Sequence, residues 1–168
     1  MELKTNSSFY TGLSGLVLPV PKYRFPPGYQ HMSRLEYYAT FFNSIEINSS
    51  FYKVPLVSTV RKWKEMVPDH FRFTYKLWKQ ITHCNGLFFE KADVQRFVDA
   101  ISAAEEKKGC LLIQFPPKLS IDCKPQLQNL LDCLKTADHN TWKIAIEFRH
   151  RSWYDDPTYQ LADDYDAT

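Results

Sequence analysis

The segment Ile144-Ala145-Ile146-Glu147-Phe148-Arg149 alternates apolar residues with residues that become charged toward its end. Because successive side chains of a strand point to opposite faces, Glu147 and Arg149 share one face and the aliphatic and aromatic side chains share the other. The apolar face predicts cover by helices. The charged end of the other face predicts a site.

Four further segments have the same pattern. They are Tyr10-Thr11-Gly12-Leu13-Ser14-Gly15, Ile45-Glu46-Ile47-Asn48, Phe73-Thr74-Tyr75-Lys76 and Leu111-Leu112-Ile113-Gln114-Phe115. The stretches between the segments have helical period, so a strand–helix unit repeated five times predicts a parallel α/β fold. Ligands of such folds bind beyond the carboxyl ends of the strands. We expect five parallel strands in chain order, with one face under helices and Glu46 on the other.

Capping signals place the five helices. Ser33 and Glu36 form a capping box, Ser58 or Thr59 begins a helix that Pro68 stops, and Asp93 caps the third. The fourth begins near Pro125, and Asp156-Pro157 opens the fifth with a cap followed by proline.

Composition narrows the class of protein. A chain of 168 residues fits one domain, 1–168, and a net charge of +2 requires no polyelectrolyte partner. The four cysteines form no C-x-x-C pair, and no apolar run approaches the roughly 20 residues of a membrane span. We expect a cytoplasmic protein with reduced thiols and no membrane association.

Length leaves two architectures open. An eight-stranded (β/α) barrel needs about 250 residues, with about 200 near its minimum, so five units are about five-eighths of one. An open, doubly wound sheet of five strands would fit the 168 residues without a remainder. Composition and periodicity do not choose between the two.

Longer motifs carry a resemblance to a known family. They are Ile45-Glu46-Ile47-Asn48-Ser49-Ser50-Phe51-Tyr52, Phe71-Arg72-Phe73 continuing through Lys76 to Ile81-Thr82-His83, Gln114-Phe115-Pro116-Pro117, Glu147-Phe148-Arg149-His150-Arg151-Ser152-Trp153, and Gly12, Ser14 and Gly15. In this order and spacing they resemble the YecE-like family, domain of unknown function 72 (DUF72), from about Tyr10 to the last residue. The family brings no settled biochemical activity with it.

The resemblance implies a TIM-type barrel, of which this chain would be an incomplete part ending before the sixth strand. Such a fragment leaves strand edges unpaired, so we expect the remaining barrel segment or an oligomer partner to cover them. The chain departs from the family pattern at Leu13, Leu16, Leu77-Trp78 and Arg151, which affects the lining of the pocket and not the fold.

Two carboxylates and two cations are the central site candidates. Glu46 and Glu147 at strand ends could act as general acid and base, or as ligands of a divalent metal. Lys76 and Arg149 make the same edge cationic, and Arg149 offers a bidentate fork to phosphate or carboxylate. The structural alternative is that the glutamates simply pair with these cations as a satisfied polar layer.

Two histidines, His83 and His150, follow the third and fifth strands and complete the catalytic candidates as proton shuttles or metal ligands. Neither has H-x-H or H-E-x-x-H spacing, so a metal would depend on convergence in space. Lone histidines are more often caps or packed residues.

The remaining candidates would contact a ligand. Ser14, Asn48 and Gln114 offer hydrogen bonds, and Tyr52 and Trp153 could stack on a sugar or base. Aromatic residues in such loops are as often packing residues.

Two functions follow as hypotheses. The first is an enzyme that uses acid–base or metal-assisted hydrolysis or isomerisation on a small anionic or phosphate-bearing substrate. The second is a non-catalytic binding module for a phosphorylated ligand or a nucleic acid.

Overall fold

Four parallel strands lie side by side in chain order in the computed structural model, which describes residues 9–139 and 141–168. They are β1 (Ser44–Ile47), β2 (Arg72–Lys76), β3 (Lys108–Gln114) and β4 (Lys143–Glu147). The α-helices are α1 (Arg34–Tyr38), α2 (Ser49–Tyr52), α3 (Val57–Glu65), α4 (Lys79–Thr82), α5 (Lys91–Ser102), α6 (Lys124–Asp138) and α7 (Asp156–Asp164). Short 3-10 turns lie at Lys22–Arg24, Pro27–Tyr29, Asn85–Leu87, Glu105–Lys107, Ile121–Cys123 and Arg151–Trp153. The fold class is α/β.

The two faces of the sheet differ as the alternation predicts. Ile45, Phe73 and Ile113 on one face are almost completely buried in a single core with residues of α3, α5 and α6. The opposite face is polar and half-exposed at Glu46, Lys76 and Glu147. Ile146 and Phe148, which were expected under helices, are only half-buried because β4 lies at the edge of the four strands.

The predicted first strand is reduced to a short pairing against β1. Ser44 N–H donates to the carbonyl of Thr11 at 3.1 Å, Glu46 N–H donates to Leu13 at 3.1 Å, and Gly15 N–H donates to Glu46 at 2.8 Å. Ser14 makes an isolated parallel bridge to Glu46 and belongs to no regular strand. The segment 11–15 therefore extends the sheet on the β1 side in the expected direction.

Residues 166–168 extend the other edge. Ile146 N–H donates to the carbonyl of Thr168 at 2.7 Å, and Thr168 N–H donates to Ile144 at 3.0 Å. Ala167 makes a parallel bridge to Ile144. The last three residues therefore make a short parallel pairing on the β4 side of the sheet.

A buried phenol ties the segment 11–15 to β1. The hydroxyl of Tyr38 accepts a hydrogen bond from Leu13 N–H at 2.7 Å and donates one to the carbonyl of Ser44 at 2.9 Å. Tyr38 has no exposed surface. Because the hydroxyl serves as acceptor and donor at once, it satisfies two backbone groups where the regular pairing has gaps.

Helix starts agree with the capping signals to within a few residues. The capping box of Ser33 and Glu36 is present in both directions. The third predicted helix begins earlier than expected, since Lys91 opens α5 and Asp93 lies in its first turn, 3.1 Å from Arg96. Asp155, rather than Asp156, caps α7 by accepting from Thr158 N–H.

Lys107 is a buried ammonium that joins two layers. Its Nζ donates to the carbonyls of Lys64 at 2.9 Å and Val67 at 2.6 Å, and it lies 3.6 Å from a carboxylate oxygen of Asp69. These carbonyls lie at the end of α3, where backbone acceptors lack helical partners. Lys107 therefore satisfies carbonyls at the end of α3 and places a positive charge where a helix C-terminus favours one.

All four cysteines are free thiols. None of the helices within residues 9–139 and 141–168 is both long enough and apolar enough to cross a bilayer.

Gly12 provides a test of the pairing between segment 11–15 and β1. A Cβ at Gly12 would lie 2.1 Å from the carbonyl oxygen of Ser44, whereas a Cβ at Gly28 meets nothing within 4 Å. We expect Gly12→Ala to lower the free energy of unfolding by about 1–3 kcal/mol, because the backbone must move apart. Gly28→Ala is the matched control. Urea denaturation of both variants makes the comparison, and equal stability would contradict the close approach.

Candidate functional site

The carboxyl ends of the strands bring the predicted polar residues together along one edge of the sheet. We call the set Ser14, Glu46, Asn48, Lys76, Gln114, Glu147 and Arg149 the rim. Gln114 is buried, with 8% of its surface exposed, and the other members are half-exposed or exposed.

The strand register determines how the rim is arranged. Ser14 is paired with Glu46, and Glu46 with Thr74. Lys76 lies two residues after Thr74 and is paired with Leu112. Gln114 lies two residues after Leu112 and is paired with Glu147. From segment 11–15 to β4, the polar position therefore shifts toward the carboxyl end by about one residue per strand on average.

Glu147 is the most highly bonded member of the rim. Its Oε2 accepts from Nε2 of Gln114 at 2.6 Å, and its Oε1 accepts from Nε of Arg149 at 2.9 Å. Desolvation acts to raise the pKa of Glu147, but the two hydrogen bonds and the charges of Arg149 and Lys76 outweigh it and hold the pKa below its ordinary value. Glu147 is therefore a carboxylate that orients Gln114 and Arg149.

Lys76 carries the cationic charge of the rim that is least compensated. Within the described residues its Nζ makes no hydrogen bond or ion pair, and it lies 4.6 Å from the ring centroid of Phe51. Its charge is nevertheless felt by Glu147 and His83. An ammonium over an aromatic ring is attracted to the ring but keeps its capacity to bind an anion.

Ser14, Glu46 and Asn48 form a hydrogen-bonded chain at the other end of the rim. Nδ2 of Asn48 donates to Oγ of Ser14, and that hydroxyl donates to Oε1 of Glu46 at 2.8 Å. Because Ser14 accepts from Asn48, its proton is directed to Glu46. Within the described residues Oε2 of Glu46 has no hydrogen-bond partner, in contrast to both oxygens of Glu147.

His83 lies close to the cationic part of the rim. Its Nδ1 lies 2.8 Å from the hydroxyl of Thr82, and its ring packs edge-on against Phe51 with centroids 4.9 Å apart. Partial desolvation of the ring, and then the charges of Lys76 and Arg149, lower the pKa of His83. The imidazole is thus neutral at pH 7 and can accept or donate a proton.

His150 and Trp153 have structural roles. Nδ1 of His150 accepts from the hydroxyl of Ser152 at 2.7 Å and from its backbone N–H at 3.3 Å, so the ring caps the turn Arg151–Trp153. Trp153 has no exposed surface, stacks on Phe148 at 4.7 Å and donates from Nε1 to Leu119 at 2.7 Å. A buried indole leaves no face for a ligand, so the expected stacking role of Trp153 does not fit this geometry.

Tyr52 is 67% exposed and packs edge-on against Phe51 with ring centroids 5.1 Å apart. Phe51 joins Lys76, His83 and Tyr52, a role that was not predicted from the sequence. The one signal in the sequence is that Phe51 directly precedes Tyr52. Strand alternation could not predict its direction, because Phe51 lies in the short helix α2 and not in β1.

The candidate metal ligands do not converge within the described residues. In the part of the chain that the structure describes, no three side chains among histidine, cysteine, aspartate and glutamate lie close enough to hold one ion. Glu46 and Glu147 stand three strands apart in the sheet and are bonded to different partners.

The chain is similar to bacterial proteins that are described as UPF0759 proteins. It is 29% identical over 145 residues to the UPF0759 protein YunF of Bacillus subtilis, covering 81% of this chain and 49% of that protein. It is 28% identical over 123 residues to the UPF0759 protein YecE of Escherichia coli, covering 73% of this chain and 44% of that protein. The chain thus spans about half the length of these relatives.

Solved structures with the same fold carry the same family description. A DUF72 family protein of Enterococcus faecalis superposes with a TM-score of 0.73 at 20% identity, over 95% of this chain and 58% of that chain. A DUF72 family protein of Thermotoga maritima superposes with a TM-score of 0.65 at 24% identity, over 95% of this chain and 62% of that chain. The family model described as "Protein of unknown function DUF72" matches residues 10–168, and the chain therefore belongs to the DUF72 family.

Proposed function

We propose that this chain is part of a TIM-type barrel enzyme that acts on a small anionic or phosphate-bearing substrate at the rim, by acid–base chemistry. The observation that carries the proposal is that anion-binding donors and a candidate acid–base carboxylate lie at opposite ends of the rim. Arg149, Gln114 and Lys76 supply hydrogen-bond donors at one end. Glu46, at the other end, supplies a carboxylate whose Oε2 has no hydrogen-bond partner among the described residues.

The strand register supports the barrel. A (β/α) barrel of eight strands has a shear of eight, which is about one residue per strand, and the rim climbs at that rate. With tilted strands, such a climb brings the polar positions to one height around the mouth. In this barrel the open polar face would be the interior, covered by the remaining barrel segment or by an oligomer partner.

The charges of the rim favour an anionic ligand. Arg149 uses Nε for Glu147, and within the described residues its two terminal nitrogens have no protein partner. Lys76 adds a second positive charge; the pKa of His83 is lowered by burial and then by the charges of Lys76 and Arg149, and both cations also lower the pKa of Glu147. A phosphate bound here would accept hydrogen bonds from the guanidinium of Arg149 and from Nζ of Lys76.

Glu46 is the better candidate for a catalytic acid or base. Both oxygens of Glu147 are occupied by hydrogen bonds, and its pairing with Arg149 keeps it ionised. Glu46 is held by one oxygen through Ser14, which orients the carboxylate and leaves the second oxygen for a proton of the substrate or of water. His83 would act as the partner that exchanges a proton near the phosphate.

A non-catalytic binding module is the second candidate, and the bonding of both carboxylates to protein partners favours it. Glu147 accepts from Gln114 and Arg149, and Glu46 accepts from Ser14. Such a module would use Arg149 and Lys76 in the same way and would leave Glu46 without a chemical role.

Replacement of Arg149 tests anion binding. We expect Arg149→Met to weaken the binding of inorganic phosphate roughly 10- to 150-fold, because a hydrogen bond to a charged group contributes about 1.5–3 kcal/mol. Arg151→Met removes the same charge from an exposed position two residues away and should leave the affinity unchanged. Calorimetric titration measures both. Equal affinities of Arg149→Met and the wild type, or no binding of phosphate by the wild type, would mean that Arg149 only forms a structural ion pair with Glu147.

Replacement of Glu46 separates the enzyme from the binding module. Against a panel of phosphate monoesters, diesters and sugar phosphates, with and without Mg²⁺, we expect Glu46→Gln to lower turnover by about 10²- to 10⁴-fold. The phosphate affinity should stay the same, since Arg149 and Lys76 are intact. Wild-type binding of phosphate without turnover of any substrate would favour the binding module.

A further inference from the structure

A row of aromatic rings leads from the cationic part of the rim to the surface. The imidazole of His83 packs edge-on against Phe51, with centroids 4.9 Å apart and planes at 79°. Phe51 packs edge-on against Tyr52, with centroids 5.1 Å apart and planes at 85°. The row ends at Tyr52, which is 67% exposed.

Lysines accompany the rings. Nζ of Lys76 lies 4.6 Å from the centroid of Phe51, and Nζ of Lys79 lies 5.6 Å from the centroid of Tyr52. Aromatic rings interleaved with cations bind a flat base through stacking and its phosphate through charge. The charge of Arg149 also acts on His83, at the rim end of the row.

The backbone holds this row in place. The hydroxyl of Ser50, which has no exposed surface, lies 2.6 Å from the carbonyl of Ile47 and 2.7 Å from that of Lys76. Nε1 of Trp78 donates to the carbonyl of Tyr52 at 3.3 Å. These contacts fix α2 against the end of β2, so the rings are positioned before a ligand arrives.

We propose that the ligand of the rim carries a flat aromatic ring together with its phosphate, as a nucleoside phosphate does, and that Tyr52 determines this specificity by stacking on the ring. The inference rests on the proposed anion site and adds the chemical class of the substrate. Tyr159 is a useful contrast, since it is 52% exposed on α7, far along the chain from the row.

The test compares three ligands by calorimetry on the whole chain: inorganic phosphate, ribose 5-phosphate and adenosine 5′-monophosphate. We expect the nucleotide to bind about 5- to 150-fold more tightly than ribose 5-phosphate, the range that stacking of one base supplies. Tyr52→Leu should abolish this preference and leave the affinities for phosphate and ribose 5-phosphate unchanged. Tyr52→Phe and Tyr159→Leu should retain the preference.

Three results would overturn the proposal in distinguishable ways. Equal binding of nucleotide and ribose 5-phosphate by the wild type removes the ring from the ligand but leaves the anion site. A preference that persists in Tyr52→Leu removes the role of Tyr52. No binding of any of the three ligands removes the anion site and this inference together.

Discussion

The structure depends on one constraint: its strands pair in parallel, and each strand has one apolar face and one polar face. Burial of Ile45, Phe73 and Ile113 under the helices leaves the intervening residues on the open face. Because all four strands run the same way, their polar ends meet at one edge. A register slip of one residue in any strand would turn its polar end into the core, so apolar burial also determines the composition of the rim.

Electrostatic balance explains why charged residues are tolerated there. Glu147 compensates Arg149 and accepts a hydrogen bond from the buried amide of Gln114, so these two half-exposed charges are paired. Nζ of Lys76 lies 4.6 Å from the ring centroid of Phe51 and makes no hydrogen bond or ion pair with the described residues. The rim thus holds Arg149, which is paired with Glu147 through Nε alone, and Lys76, and both can donate to a ligand. Burial of the His83 ring, and then the charges of these two cations, lower the pKa of His83.

Local sequence signals predicted the elements better than the details of the site. Alternation at Ile45–Ile47 and the capping box at Ser33 have local causes, so strand faces and helix starts follow from them. The regular strand expected at Tyr10 to Gly15 is instead a single bridge, with the Tyr38 phenol bonding to backbone groups on both sides of the pairing. That contact joins residues far apart in the chain, which periodicity does not show.

The site residues divide in the same way. Glu46, Lys76 and Glu147 follow from alternation, because a strand end specifies the face. Residues beyond the strand ends do not obey that rule. Trp153 turns into the core, His150 caps a turn, and Phe51 joins the rim through α2. Tertiary packing decides these three positions, and no pattern of spacing in one sequence reports it.

The central claim is that the rim receives an anion at the carboxyl ends of the strands, and a ¹H–¹⁵N NMR titration with inorganic phosphate tests it most directly. If phosphate binds at the rim, the backbone amides of Lys76 and Arg149 and the side-chain amide of Gln114 will show saturable shifts. Gly109 and Lys143, at the opposite ends of β3 and β4, should not shift. Shifts confined to that opposite end, or no saturable shifts at the rim, would contradict the account.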